Sequence, residues 1–319
     1  MFNKRLKKQA FSLIELSVVI LIIGILVAGV TQSSRLVRQM RLSSARSITN
    51  SSSVSTIKNL ALWYDSISEK SFDEAESSDA TQITNWYDLN PQTSPNTRIN
   101  AVGSGATRPV YSNEGINSLP ALVFDGSDVL SVAGAPSLLE SGSATFFFVI
   151  NPNSISSQRF ILMQAFANCA TNIEIGHSTG NGGQGNFGIH SGCSRANVSP
   201  TGTLANLESS IISMVMLASP LTSGVTSNTI IYKNGASLTL TADASGYNSG
   251  LGGAYAKSNS TLFIGARNGA DAFYSGKIGE IIVFSRSLKD EERKSVEQYL
   301  GKKMGNKGIL DKSCIIFLN

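Results

Sequence analysis

Charge is scarce in this chain: charged residues make up 15% of its 319 positions, against about 25% in ordinary soluble proteins. The formal net charge of +4 is small and dispersed, so the chain lacks the basic patch that nucleic acid requires, and no nucleic-acid partner is expected. No acid lies between Glu15 and Asp65, which leaves the C-terminal part mildly acidic. Histidine is limited to His177 and His190, and cysteine to Cys169, Cys193 and Cys314. Their spacing fits no compact zinc site. No strand-like stretch carries alternating acids of the Glu-x-Asp-x-Glu kind, which would set two carboxylates on one face for glycoside chemistry. Glu174 stands alone in Asn172-Ile173-Glu174-Ile175. The glycine-rich stretch from Thr179 to Gly188 leads into neither a lysine nor a strand-to-helix turn, so it is no phosphate loop. With no catalytic constellation present, the chain reads as a protein that is not an enzyme, and no resident cofactor is expected.

What the sequence does have is concentrated at its start. Lys4, Arg5, Lys7 and Lys8 precede Ala10, and from Phe11 to Val30 the chain is almost unbroken in apolar character. About 20 such residues suffice to cross a bilayer as a helix. One acid, Glu15, interrupts them. A carboxylate at membrane depth costs up to roughly 3 kcal/mol on insertion scales, so it needs a partner or a function. An ordinary secretory signal would have a shorter apolar core followed by small residues. Here the small residue comes first, and Thr31-Gln32-Ser33-Ser34 matches a cleavage site poorly.

The order of basic leader, small residue and Phe11-Ser12-Leu13-Ile14-Glu15-Leu16 resembles the type IV prepilin class. That resemblance implies a leader over residues 1–10, cleavage between Ala10 and Phe11 by a prepilin peptidase, and N-methylation of Phe11. It also implies that Phe11 and Glu15 act in assembly with other pilin subunits. The precursor would sit in the bacterial inner membrane through a single span over 11–30. Its remainder would lie outside the cytoplasm, on a surface pilus or a periplasmic pseudopilus used in protein secretion. Pilins of this class commonly carry a helix-breaking proline after the glycine region, and none is found near Gln32.

The helical pattern continues past Thr31, with Leu36, Val37, Met40, Ser44 and Ile48 on one face. Arg35, Arg38, Arg41 and Arg46 lie elsewhere and compete with the leader under the positive-inside rule. The resemblance decides the orientation with these arginines outside. The serine-rich run from Ser43 to Ser55 weakens helix formation and reads as a hinge, closing an N-terminal segment over residues 11–57.

Beyond it come short runs rich in Val, Ile, Phe and Tyr, bounded by turn residues: 60–65, 83–88, 121–124, 144–150, 160–164, 211–217, 229–232, 261–264 and 279–284. Asn234-Gly235 is a hairpin signal. Roughly ten strands without intervening helices predict an all-β sandwich. A final helix is expected from Asp290 to about Lys303, with acids at its start and lysines at its end.

The phrases Leu62-Trp63-Tyr64-Asp65, Asn85-Trp86-Tyr87-Asp88, Ala121-Leu122-Val123-Phe124-Asp125-Gly126-Ser127-Asp128 and Ile278-Gly279-Glu280-Ile281 resemble a concanavalin A-like, laminin-G-type jelly roll over residues 58–304. Residues 305–319 form a tail that ends in Cys314-Ile315-Ile316-Phe317-Leu318, an apolar segment too short to span a membrane. Such domains bind carbohydrate or protein, so the resemblance implies a lectin-like recognition head, sometimes with calcium. Trp63, Trp86 and Phe124 read as core. Asp125 and Asp128 offer oxygen ligands for calcium, although the stretch suits turn formation better. Cys169 and Cys193 are a candidate disulfide in an exported domain. A membrane-anchored adhesin whose helix serves only for display stands as the alternative.

Overall fold

The structure is a computed structural model that describes residues 12–139, 141–165, 172–178, 183–191, 195–217, 229–242 and 259–305. Cys169, Cys193, Cys314, Ala10 and Phe11 lie outside these residues. The chain divides into two compact units, residues 1–44 and 45–319.

Helix α1 runs from Leu13 to Asn50. In the first unit its apolar side chains are open, from Val18 at 47% exposed to Leu13 at 85%. Neither Gly24 nor Gly29 interrupts the helix. Among the described residues no helix is long and apolar enough to cross a membrane. The apolar stretch 13–29 rises about 25 Å at ~1.5 Å per residue, short of a ~30 Å hydrocarbon core. The expected span begins at Phe11, beyond the described part.

The serine-rich run does not end the helix where it begins. α1 continues to Asn50, a short 3-10 turn follows at Ser53–Thr56, and the last helical residues belong to the second unit. Ala45 is buried there, as is Thr49. Arg46 donates to the Ile67 carbonyl at 3.0 Å and pairs with Glu69. Serine's weak helix propensity is thus outweighed by tertiary contacts.

That unit is a sandwich of two antiparallel sheets, each of nine described strands. The first sheet is built around Ala144–Pro152 and Ser275–Phe284, which pair along their length. Ser275–Phe284 is long enough to take Leu119–Asp125 beside its first half and Leu60–Asp65 beside its second. On the other flank Ser210–Met216 and Thr229–Lys233 extend the sheet. Asn234 and Gly235, both at positive φ, close the expected hairpin into Ala236–Ser237. The second sheet centres on Arg159–Ala165, with Ile173–His177 on one side and Ser260–Ile264 on the other.

The core lies between the sheets. Phe146, Phe148 and Ile150 face Ile161, Ile175, Phe187 and Leu262 within one buried cluster. Trp86 stacks near Phe72 and Tyr64, and Trp86 and Phe124 are wholly buried, as their core assignment expected.

The odd-numbered residues of the central strand, Phe147 and Val149, are equally buried although they point away from this core. Helix α2, Asp290–Met304, lies on this side of the sheet, where its Glu297 accepts from Ser213, the residue paired with Phe147. It buries Val296, Tyr299 and Leu300, and sets Arg293 3.7 Å from the Tyr232 ring. Being covered on both faces explains why 144–150 reads as a continuous apolar run rather than an alternating one. The α2 N-terminus begins at Lys289, a side chain with no acceptor. Glu292 does the capping: it accepts from the Lys289 N–H at 3.0 Å and grips Arg286 through both oxygens. Gly305 in the left-handed region ends the helix.

Candidate functional site

Two places on the chain concentrate chemistry. The first is the start of α1. Ser12 donates its backbone N–H to the Glu15 carboxylate at 2.9 Å, and its hydroxyl accepts from the Ile14 N–H at 3.3 Å. This is a reciprocal capping box, written in the sequence as Ser12-Leu13-Ile14-Glu15. In the sequence the apolar run around it masks this motif. The carboxylate therefore lies at the positive end of the helix dipole. An N-terminal amine created at Phe11 would arise one residue from the N–H that Glu15 already holds.

The second place lies inside the β unit, where the last strand, the first strand and both helices of that unit converge. Lys303, near the end of α2, reaches Asp65 Oδ2 at 2.7 Å and Glu280 Oε2 at 2.8 Å. All three side chains are essentially without solvent contact. The remaining carboxylate oxygens are also taken. Glu280 Oε1 accepts from Trp63 Nε1 at 2.8 Å and from the Tyr299 hydroxyl at 2.6 Å. Asp65 Oδ1 accepts from the Ile67 N–H at 2.9 Å. Thr49, from the last turn of α1, donates to Asp65 Oδ2 at 3.2 Å. Burial pushes the Glu280 carboxyl up to about 7, against the pull of Lys303. Burial works to lower Lys303, but the charges of Asp65 and Glu280 hold it above its ordinary value.

None of these three residues was picked out as a site from the sequence. Asp65 and Glu280 appeared only within family phrases, and Lys303 only as a complement to the helix dipole. The signal was an acid inside each of two strands that are otherwise buried. A smaller network lies alongside, where Arg293 pairs with Glu297 at 2.6 Å and Glu297 accepts from Ser213 at 2.7 Å.

The other candidate residues fall apart from both places. Asp128 Oδ2 accepts from the Asp125 N–H at 2.8 Å, and Asp125 Oδ1 accepts from both N–H and hydroxyl of Ser127 at 2.7 Å. Their carboxylates are spent on closing the turn, with Gly126 at φ 103. Burial pushes Asp128 up to about 6, while the Ser127 donors hold Asp125 below its usual value. Among the described residues no group of three or more potential ligands is placed to hold a metal. Glu174 is buried on the second sheet, and burial raises its carboxyl. His177 packs edge-on against Tyr274 in the interior.

Residues 5–31 match the prokaryotic N-terminal methylation motif, so the chain carries a prepilin-type N-terminus. No curated protein matches the chain. Among solved structures it is similar to Trypanosoma rangeli sialidase in complex with the inhibitor DANA, at 12% identity and a TM-score of 0.44 over 75% of this chain and 32% of that one. The same sialidase with 2,3-difluorosialic acid gives 13% identity and a TM-score of 0.48, covering 78% and 33%. Domain 4 of AbnA, a GH43 extracellular arabinanase from Geobacillus stearothermophilus in complex with arabinotriose, gives 14% identity and a TM-score of 0.46, covering 73% and 96%. The chain thus spans about a third of the sialidase chains it matches.

Proposed function

We propose that this chain is a pilin-like subunit, a minor pilin or pseudopilin, cut after Ala10 by a prepilin peptidase and assembled into a filament through α1. The observation that carries this reading is the methylation motif over residues 5–31, with Glu15 fifth from the bond between Ala10 and Phe11. Cleavage frees a positive amine at Phe11. Glu15 of one subunit then pairs with the Phe11 amine of a neighbour, so neither charge stays alone in a low-dielectric setting. The exposed apolar residues of α1 between Leu13 and Met40 support this, because so large an open surface calls for lipid or other helices. In the precursor this surface sits in the inner membrane, and in the filament it packs against the helices of other subunits. The β unit is displayed as a non-catalytic recognition head for a carbohydrate or protein ligand.

Glu15→Ala tests the pairing. It should leave the cut after Ala10 intact while reducing filament yield at least tenfold, measured by shearing and quantitative immunoblot. Wild-type yield from that variant would overturn the pairing.

A further inference from the structure

The buried triad of Lys303, Asp65 and Glu280 has the parts of a self-condensing amide site. A primary amine and a carboxyl group stand in direct contact, 2.7 Å from nitrogen to oxygen. A second carboxylate touches the same nitrogen at 2.8 Å. Water is kept out on every side, since Lys303 and Asp65 are wholly buried and Glu280 nearly so. The walls are the rings of Trp63 and Tyr299, packed edge to face at 6.4 Å.

As a plain ion pair the arrangement is wasteful. Each buried charge carries a desolvation cost that its partner only offsets, and here two carboxylates share one ammonium. The excess acid requires another role.

We propose that Lys303 and Asp65 condense into an intramolecular amide, with Glu280 as the residue that carries the protons. Lys303 Nζ passes a proton to Glu280 Oε2, and the free amine attacks the Asp65 carboxyl carbon. Negative charge gathers on Asp65 Oδ1, the oxygen that already accepts from the Ile67 N–H at 2.9 Å. Glu280 hands its proton to Oδ2, a second proton follows from Nζ by the same route, and Oδ2 departs as water. One C–N bond forms and one C–O bond breaks. Ammonium plus carboxylate become amide plus water with no change in net charge, so no oxidant or activating nucleotide is needed.

Contact geometry supplies the effective concentration such a reaction needs. Exclusion of water favours the neutral product over the ion pair and shields the amide from hydrolysis. The heightened carboxyl pKa of Glu280 suits a group that must both take and return a proton near neutrality.

The bond would tie the first strand of the β unit, Leu60–Asp65, to the end of its last helix. Most of that unit would then lie within one covalent loop. The contacts of Lys303, Asp65 and Glu280 are independent of how the N-terminus is processed.

Peptide mapping of the full-length protein, purified in detergent, tests it. Complete tryptic digestion should give one branched peptide in which the segment beginning at Asn59 is joined to the segment containing Lys303. Its mass should be lower by one water than Asn59–Lys70 and Lys303–Lys307 together, since the amide blocks cleavage after Lys303, and the linear Asn59–Lys70 peptide should be absent. Glu280→Gln keeps the shape but not the base, and should return linear Asn59–Lys70 together with Met304–Lys307, released by cleavage after a free Lys303, from a protein with an unchanged circular dichroism spectrum. Lys303→Arg keeps the charge without a condensing amine and should give the linear Asp65 peptide as the mass reference. Linear Asn59–Lys70 and Met304–Lys307 in full yield from the wild-type chain would overturn the proposal. A Glu280→Gln protein that still cross-links would overturn the role given to Glu280.

Discussion

His177 shows how one residue can make the whole unit sensitive to acid. Its ring is fully buried, and burial, helped by the nearby Arg159, pulls its pKa from 6.5 down to about 4. The folded protein therefore holds it neutral while the unfolded chain protonates it below about 6.5. Stability from this residue is complete above pH 6.5 and falls as pH drops towards 4, by roughly 3 kcal/mol in all. Thermal unfolding of the full chain in detergent should show Tm declining across that window. His177→Gln should flatten this part of the profile. Glu15 is a residue of a different kind, because its local partner, the Ser12 N–H, is satisfied within one chain. Its further role depends on what surrounds α1.

At the scale of elements, the ends of α2 matter more than its middle. Glu292 caps the helix and holds Arg286, and that hydrogen bond, with the Lys289 N–H and the surrounding positive charge, draws the Glu292 pKa from 4.5 to about 2. A depressed carboxyl gives stability that is present above its unfolded value and lost as pH falls from about 4.5 towards 2. Glu292→Ala should cost about 1–2 kcal/mol at neutral pH, since it removes a cap and a bidentate ion pair together. Urea unfolding at pH 7 measures this, and the difference from wild type should vanish near pH 2.

The strands show why element-level reading succeeded in part. The run Ala144-Thr145-Phe146-Phe147-Phe148-Val149-Ile150 was legible because both of its faces are covered, one by the opposing sheet and one by α2. Leu60–Asp65 and the 279–284 part of Ser275–Phe284 were legible from their β-branched and aromatic residues, while Ser275, Gly276 and Lys277 hid the start of the latter. Val110–Ile116 and Ile173–His177 were not, because Ser112, Asn113, Glu114, Gly176 and His177 break the alternation. Gly176 is required by a bulge, where an added Cβ would sit 2.0 Å from the Arg159 carbonyl oxygen. The strand at 83–88 shrank to Asn85–Trp86 for a different reason. Asp88 turns its carboxylate back to accept from the Trp63 and Asn90 N–H groups, which takes the chain out of the sheet.

For the whole molecule, the sandwich and its closing helix were readable because period and turn chemistry are local properties. The triad of Asp65, Glu280 and Lys303 was not, because it joins positions more than two hundred residues apart and each member has a sufficient local explanation. The start of the chain presents the reverse case. Its motif was plain in the order of residues, while the geometry adds the capping box that places the Glu15 carboxylate at the helix entrance. Within the β unit, the first strand and the closing helix meet at Asp65, Glu280 and Lys303.

Mass spectrometry of the mature N-terminus decides whether the chain is cut and methylated at Phe11. The assembled protein, released from the cell surface or membrane and digested, should begin at Phe11 and carry one added methyl group on its amine. A terminus near residue 33 would make the leader an ordinary secretory signal, and an unmodified chain that still contains Lys7, Lys8 and Ala10 would make it a simple anchor. Either result would contradict the reading of this chain as a processed pilin-like subunit.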